Sequence, residues 1–378
     1  MTVRHRFAVL LQLGCGLALL ASSVGFAGAP APSPVASGPH PEHLVVNLGD
    51  FKLESGDVIK EFKVSYVTHG KLNKAKSNAV LIMHQFTADH HAMDYLIGPG
   101  KALDPEKYFI VATDFIGNSL IRQDVTTGPT NSGFKMDFPF YTILDSVNVE
   151  YRLLKEYLGL DHVLAVMGPS IGAMKAYQFA VSYPNYISGA IAIAGSPVTG
   201  PNTRWVLNNM MDIIALDADW HGGNYETNPT AGLTTAFGEF VPWIYTEPYF
   251  AQNVRTPEQR RAFRKFWHDI FSVYAPQDAR DIYYQLRMWA TYNIGDTSGF
   301  GGDAQAALRS IKARVLLISI KEDLLVLPDQ IAFTKNSIPN ATLVEIATPF
   351  GHVACCGLDP DTNKIFDREI GRFLAKLK

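Results

Sequence analysis

The most distinctive chemistry in this sequence centres on a serine between two glycines, in the stretch Gly168-Pro169-Ser170-Ile171-Gly172. An apolar strand-like segment, HVLAVMG, leads into it and a helix-like segment, IGAMKAYQFA, follows, so the chain must turn sharply here. The flanking glycines lack the Cβ atoms that would collide with neighbouring strands. Such a turn presents the hydroxyl to solvent at a helix N-terminus, where the Ile171 N–H faces a developing oxyanion. We predict that Ser170 is a nucleophile and Ile171 an oxyanion donor.

A serine hydroxyl attacks efficiently at neutral pH only when a base removes its proton, so Ser170 needs a histidine oriented by an acid. After a turn of this kind the partners follow in the order acid, histidine, at the C-terminal ends of later strands. The segment RVLLISI is followed by Glu322 and Asp323, and ATLVEIAT is followed by His352. We prefer Asp323 to Glu322 because it lies further from the strand and precedes apolar leucines. The predicted triad is Ser170, Asp323 and His352.

A second oxyanion donor is expected from the loop after an early strand, in NAVLIMHQFTADHHA, and the Phe86 N–H is our candidate. The same loop is rich in metal-ligand side chains, which raises a metal site as an alternative. These side chains are His84, His90, His91, Asp89 and Asp94. Their spacing matches no zinc template, so we expect neither a metal nor a cofactor.

The elements that must position these residues alternate along the chain. Strand patterns occur at HLVVNLGDFKL, EFKVSYVTHG, NAVLIMHQF, YFIVATDF, HVLAVMG, ISGAIAIAGSP, RVLLISI and ATLVEIAT. Helical patterns occur over residues 142–159, after Ser170, from about Pro328, and at the C-terminus. This alternation predicts an α/β fold with a mostly parallel central sheet flanked by helices.

Residues 199–305 interrupt the alternation. They are rich in Trp, Tyr, Phe and Met, and contain helix-like stretches such as RTPEQRRAFRKFWHDIFSVY but few strand patterns. The sheet pattern resumes at Arg314, which favours an insertion over an unrelated second domain. We predict a helical cap at 199–305, inserted into a core formed by residues 44–198 and 306–378.

The N-terminus predicts export. MTVRHRF is cationic, AVLLQLGCGLALLASSVGFA is apolar, and small residues follow, as in a secretory signal peptide over residues 1–29. A Pro/Ala/Ser-rich flexible leader, residues 30–43, comes next. A membrane anchor is the alternative, but the apolar run is short and contains Gly and Ser. We expect a secreted or periplasmic protein without stable membrane insertion after the signal peptide is removed.

Composition narrows the class of protein. The 378 residues are 47% hydrophobic and 18% charged, which suits one large globular core or two linked ones. The formal net charge of -3 and the lack of a basic stripe argue against a nucleic-acid partner.

Cys355 and Cys356 would be the only cysteines after export. A ring closed between neighbours is strained, so we expect two reduced thiols rather than a disulfide.

Several segments resemble, in order, the homoserine O-acetyltransferase family of α/β-hydrolase-fold proteins. They are NAVLIMHQFTADHH, GPGKALDPEKYFIVATDFIGNS, FPFYTILDSV, GPSIGAMKAYQFAVSYP, ALDADWHGGNYETNPTAGLTTAF, KEDLLVLPDQ and GHVACC. The resemblance includes the cap region. It implies an α/β-hydrolase fold, an acyl-enzyme intermediate on Ser170, the Asp323 and His352 partners, and a cap over the site.

The sequence departs from that family where the family binds its amino-acid substrate. The family has an arginine on the first cap helix, where this chain reads VLNNMMDII, and an aspartate after the triad histidine, where this chain has Val353. Met210, Met211 and Trp205 of the cap, with Val353, become the candidates for the substrate pocket. Their apolar character removes both charged contacts to an amino acid, so water is the expected acceptor.

The expected function is therefore an exported serine hydrolase that cleaves carboxylic esters, with amides as a lesser option. The alternative is an acyltransferase of the homoserine O-acetyltransferase type, which passes the acyl group to a small alcohol or amine. A non-catalytic binding protein on the same scaffold is disfavoured by the complete triad. The expected partner is a small-molecule ester, and a homodimer is compatible with the sequence.

Overall fold

A computed structural model describes residues 41–114, 116–117, 125–269 and 277–377. The predicted signal peptide and all but the last three residues of the predicted leader lie outside the described residues. Within these ranges, none of the helices combines the length and the apolar character needed to cross a membrane.

The described chain builds one large sheet and one small one. The strands are β1 (Leu44–Asn47), β2 (Phe51–Lys52), β3 (Val58–Ile59), β4 (Lys63–His69), β5 (Ala79–Met83), β6 (Phe109–Thr113), β7 (Val163–Pro169), β8 (Ile187–Ile193), β9 (Arg314–Ile320) and β10 (Ala341–Ile346). The large sheet has eight strands in the order β1-β4-β6-β5-β7-β8-β9-β10. Within this large sheet, only the pairs β1–β4 and β4–β6 are antiparallel. The predicted mostly parallel sheet is confirmed.

Helices cover both faces of this sheet. Among the described helices, two precede β8 and three begin after residue 303; they are α1 (Ile143–Arg152), α2 (Ile171–Ser182), α8 (Ala304–Arg309), α9 (Pro328–Ser337) and α10 (Pro360–Ala375). On β5, Ala79, Leu81 and Met83 point into one apolar cluster together with residues of α1, α2, α8 and α9. Val80 and Ile82 point into a second cluster that contains residues of α10. Burial on both faces explains why the central strands are continuously apolar.

The predicted helix over residues 142–159 is α-helical only in its first part. Thr142 and Asp145 form a capping box at its start, with the Asp145 N–H donating to Thr142 Oγ1 at 3.1 Å. After Arg152 the helix widens into a π-type turn, Leu153–Tyr157. Gly159 then takes a φ of 62°, a left-handed conformation that glycine adopts readily and that ends the helix.

Five α-helices lie between β8 and α8, within the described part of residues 199–303. They are α3 (Pro201–Ala215), α4 (Thr230–Ile244), α5 (Glu247–Asn253), α6 (Pro257–Asp269) and α7 (Ala279–Ala290). Aromatic rings join α4, α5 and α6: the Tyr245 ring lies 4.4 Å from Tyr249, 5.4 Å from Phe263 and 6.0 Å from Trp267, centroid to centroid. The aromatic content of this region therefore packs the helices against one another.

Candidate active site

Ser170 occupies the sharp turn between β7 and α2. Its φ of 52° and ψ of -116° are unusual for a residue other than glycine, and such strain concentrates at functional sites. A Cβ on Gly168 would lie 2.2 Å from the Met83 carbonyl oxygen, and one on Gly172 would lie 2.1 Å from the same atom. Only glycines at these two positions allow the turn to pack this tightly against β5.

The structure brings the three predicted triad side chains together. Ser170 Oγ lies 3.0 Å from Nε2 of His352, and Nδ1 of His352 lies 2.6 Å from Oδ2 of Asp323. The other carboxylate oxygen, Oδ1, accepts the N–H groups of Leu325 and Val326 at 2.8 and 2.9 Å. These bonds fix the carboxylate, and the carboxylate fixes the imidazole with Nε2 towards the serine.

Glu322 has a different position from its neighbour. Its Oε2 accepts the Thr348 N–H at 2.9 Å, which ties the end of β9 to the loop after β10. Asp323 therefore meets His352, and Glu322 supports the loop that carries His352.

Ser170, Asp323 and His352 are 3%, 2% and 5% exposed. Ser170 is therefore buried, contrary to the expectation of a solvent-exposed hydroxyl. Burial lowers the pKa of His352, but the charge of Asp323 and its hydrogen bond raise it, and the net pKa lies above the usual value. The imidazole is thus a stronger base than an isolated histidine.

The two candidate oxyanion donors lie at the same edge of the sheet. Ile171 is the first residue of α2, so its N–H has no partner inside the helix. Phe86 follows β5, which pairs with β7 in the sheet. In residues 41–114, 116–117, 125–269 and 277–377, neither N–H donates a hydrogen bond to another group. Both amides therefore remain able to bind an anionic oxygen.

Two threonines from the region between β8 and β9 bond to the loops that carry Asp323 and His352. Thr203 of α3 donates to the carbonyl of Leu325, two residues after Asp323, at 2.6 Å. Thr246, between α4 and α5, donates to the Pro349 carbonyl, just before His352. Sequence reasoning missed both threonines because their partners are backbone carbonyls, which leave no side-chain pattern.

Helix α7 holds the loop that carries Phe86. Gln285 donates from Nε2 to the Gly117 carbonyl at 2.5 Å and accepts the Thr87 N–H at 3.5 Å. The Phe86 ring lies 5.7 Å from the ring of Trp289, one helical turn further along α7. The candidate oxyanion loop is thus anchored by one cap helix through both polar and aromatic contacts.

The four candidate pocket residues have different environments. Met210 on α3 and Val353 beside His352 are buried, and Met211 is half-buried. Trp205 is 67% exposed, so its side chain lies mostly in solvent, and its role in a substrate pocket stays a prediction. Helical periodicity explains this exposure: α3 turns Val206, Leu207, Met210 and Ile214 inward and leaves Trp205 on the solvent side.

Cys355 and Cys356 are thiols, as predicted. Their Sγ atoms lie 3.9 Å apart, too far for a disulfide bond. Both belong to the short 3₁₀ turn Gly351–Cys356 that carries His352.

Among the residues that the structure describes, one group could hold a metal ion, and its members differ from those of the alternative raised in the sequence analysis. His84 contacts the Gln85 carbonyl oxygen through Nδ1 at 2.8 Å, and burial lowers its pKa to about 3. His43, from the segment before β1, joins His90 and His91, and their ligand atoms all lie within 4.8 Å of one another. The sequence analysis did not include His43 in this group because His43 lies 47 positions before His90.

Comparison with known proteins defines the class. A family model for the α/β-hydrolase fold matches residues 78–355. The homoserine O-acetyltransferase of Methanococcoides burtonii is 30% identical over 81% of this chain and 68% of its own length. The chain therefore belongs to the α/β-hydrolase-fold family, among the homoserine O-acetyltransferase-like proteins.

Relatives that are named for different reactions have similar sequence identity to this chain. The ethyl acetate hydrolase of Pseudomonas veronii is 28% identical over 89% of this chain and 96% of its own length. The crystal structure of homoserine O-acetyltransferase from Bacillus anthracis has a TM-score of 0.80 and 28% identity, over 88% of this chain and 97% of that chain. The family thus includes proteins named for hydrolysis and proteins named for acyl transfer.

Proposed function

We propose that this protein is a serine hydrolase that cleaves carboxylic esters through an acyl-enzyme on Ser170. The observation that carries the proposal is the continuous hydrogen-bonded chain from Ser170 Oγ through His352 to Asp323, with distances of 3.0 and 2.6 Å. A serine with this arrangement loses its proton as it attacks, which an isolated serine hydroxyl cannot do at neutral pH.

Acylation follows from the geometry. As Ser170 Oγ attacks the ester carbonyl, Nε2 of His352 takes its proton, and the carbonyl oxygen becomes an oxyanion held by the Ile171 and Phe86 N–H groups. Asp323 stabilises the resulting imidazolium. Nε2 then gives the proton to the leaving alcohol, the carbon–oxygen bond of the ester breaks, and the acyl group remains on Ser170.

Deacylation repeats these steps with water. His352 removes a proton from the water as the water attacks the acyl carbonyl, and the same two amides hold the second oxyanion. The bond to Ser170 Oγ breaks, the serine regains its proton from His352, and the free acid leaves. Neither step requires a cofactor.

The choice of water as acceptor rests on uncharged residues. A transferase must hold the ammonium and carboxylate of an amino acid in a dry site, which needs charged side chains. Val353 follows His352 in this chain, and Met210 and Met211 occupy the stretch of α3 where the resembled family has an arginine. These residues favour hydrolysis, the reaction for which the Pseudomonas veronii relative is named.

Acyl transfer is the second candidate, because homoserine O-acetyltransferases are among the relatives of this chain. One reaction mixture separates the two. Acetyl-CoA or an activated acetyl ester is supplied with homoserine, and free acetate and O-acetylhomoserine are both followed by mass spectrometry, with Ser170→Ala as the blank. We expect acetate from the activated ester, no stimulation by homoserine and no use of acetyl-CoA. Faster formation of O-acetylhomoserine than of acetate would replace the hydrolase assignment by the transferase.

Export is a separate proposal that rests on the N-terminal sequence alone. We expect the mature chain to begin after Ala27 or Ala29 and to be recovered outside the cytoplasm. N-terminal sequencing of protein from fractionated cells tests this, and an intact N-terminus in the cytoplasmic fraction would contradict it.

A further inference from the structure

Three histidines converge at a place that the proposed reaction does not use. His43 precedes β1, and His90 and His91 lie in the loop after β5. The two Nε2 atoms of His43 and His90 are 3.1 Å apart, and the ring centroids of His90 and His91 are 4.3 Å apart. One ligand atom from each of the three rings lies within 4.8 Å of the others.

Carboxylates orient two of these rings. Nδ1 of His90 lies 2.9 Å from Oδ2 of Asp114, and Nδ1 of His91 lies 2.7 Å from Oδ2 of Asp94. A histidine that donates its Nδ1 proton to a carboxylate carries its lone pair on Nε2. This carboxylate–histidine arrangement fixes the tautomer and raises the basicity of ring nitrogens that bind metals.

The carboxylate behind His90 is itself held firmly. Asp114, at the end of β6, is buried, and its Oδ2 accepts the Ser65 hydroxyl at 2.5 Å. Its Oδ1 accepts the backbone N–H of His90 at 3.0 Å. The His90 ring therefore has one orientation, which is set by Asp114 after β6 and, through Asp114, by Ser65 on β4.

We propose that His43, His90 and His91 bind one divalent zinc-like cation, with water as the fourth ligand. With Zn–N distances of about 2.0–2.1 Å, tetrahedral ligand nitrogens lie about 3.3 Å from one another. The separation of 3.1 Å between His43 and His90 is already close to this value. Because the three ligand atoms lie within 4.8 Å of one another, a rotation of the His43 or His91 ring would bring all three to tetrahedral distances. Imidazole ligands suit Zn²⁺, Cu²⁺, Ni²⁺ and Co²⁺ rather than Mg²⁺ or Ca²⁺.

The position of the site defines its role. A cation held by these three residues would tie the segment before β1 to the loop that also contains Phe86. It stabilises that loop and takes no part in the proton transfers between Ser170 and His352. The proposal is independent of the proposed function, because its test measures metal binding and unfolding rather than ester cleavage.

The test uses the full chain, purified with a tag that contains no histidine and stripped of metal by a chelator. Titration with Zn²⁺ by calorimetry should give one site per chain. At a Zn²⁺ concentration of about a hundred times Kd, the melting temperature should rise by about 4 °C. Co²⁺ should give the intense visible absorption bands of a tetrahedral site. A stoichiometry far below one, or no rise in melting temperature, overturns the proposal.

Single variants assign the ligands. His43→Ala and His91→Ala should each weaken Zn²⁺ binding at least about tenfold and remove the Co²⁺ bands, while the metal-free melting temperature changes little. His90→Ala is avoided because it would leave Asp114 buried without its imidazole partner. His268→Ala is the control, since its side chain is 51% exposed and lies on α6 of the cap. Equal loss of binding in His268→Ala, or full binding in both cluster variants, would refute the assignment.

Discussion

Oδ2 of Asp323 lies 2.6 Å from Nδ1 of His352, while the adjacent Glu322 bonds to the Thr348 N–H instead. The loop after β9 thus points two neighbouring carboxylates at different partners, so only Asp323 can orient His352. Asp323 also receives two backbone N–H groups, so its charge is held in place before any substrate arrives.

Asp323→Asn tests this division. The Asn oxygen would stay with the Leu325 and Val326 N–H groups, so its NH2 group would face Nδ1 of His352 and donate to it. His352 would then carry its proton on Nε2, which is the wrong tautomer for accepting the Ser170 proton. We expect kcat for ester cleavage to fall about 10³- to 10⁴-fold with normal folding. Glu322→Gln is the matched control, because Gln can still accept the Thr348 N–H, and its kcat should stay near that of the parent protein. A fully active Asp323→Asn variant alongside an inactive Glu322→Gln variant would exchange the roles of the two acids.

The acid limb of the pH profile should lie above the ordinary histidine range. His352 must be neutral to accept the Ser170 proton, and although burial lowers its pKa, Asp323 raises it to a net value above usual. The apparent pKa of kcat/KM should therefore exceed about 6.5, and activity should be lost as the pH falls through it. In Asp323→Asn the residual activity should show a lower apparent pKa. A parent profile with its acid limb below that of the variant would contradict the assignment.

The sequence predicted the parts of this site that leave a local pattern. The turn around Ser170 was visible because Gly168 and Gly172 both pack against the Met83 carbonyl, a constraint that any such turn imposes. The sheet was visible because strands buried on both faces are continuously apolar, as in β5 and β7.

Long-range contacts could not be predicted in the same way. Lys175 forms a buried ion pair with Glu150 at 2.7 Å, although both lie in helices whose patterns give no sign of it. His43 and His90 meet across 47 positions of sequence. The exposure of Trp205 depends on the rotation of α3 about its axis, which composition does not specify.

We predict that Gln285 of α7 affects kcat although it is not a member of the triad. Gln285→Met keeps the side-chain length but removes the bonds to the Gly117 carbonyl and the Thr87 N–H, which position the loop of Phe86. We expect kcat to fall about 10- to 100-fold with KM changed less than about threefold. Steady-state kinetics with a short-chain ester measures both.

The control for Gln285→Met comes from the same helix. Tyr284→Phe removes a hydroxyl that donates to the Phe138 carbonyl at 2.5 Å, a bond of similar burial that does not reach the Phe86 loop. Both variants should lose about 1 kcal/mol of unfolding free energy. If Tyr284→Phe lowered kcat as much as Gln285→Met, the effect would be general loosening of the cap rather than positioning of the oxyanion loop.

Asp281 of α7 should make the stability of the protein depend on pH. Burial, followed by the charge of Asp278, raises the pKa of Asp281 to about 7, while its Oδ1 accepts the Thr130 N–H at 3.0 Å. The unfolded carboxyl has a pKa of about 3.9, so the folded state holds a proton that the unfolded state has lost between these two values. The contribution of Asp281 to the free energy of unfolding is therefore most favourable below about pH 4, and this stability is lost as the pH rises through about 7.

Asp281→Asn should remove this dependence, because the amide can still accept the Thr130 N–H and carries no charge at any pH. Relative to the parent protein, the variant should gain on the order of a few kcal/mol of unfolding free energy at about pH 9, and close to nothing at about pH 4. Urea unfolding at several pH values measures the difference. Asp278→Asn is the contrasting variant: Asp278 pairs with Arg280 at 3.0 Å and its pKa is lowered, so its loss should destabilise the protein at neutral pH. A gain for Asp281→Asn that stayed constant from acid to alkaline pH would show that the side chain titrates normally in the folded protein.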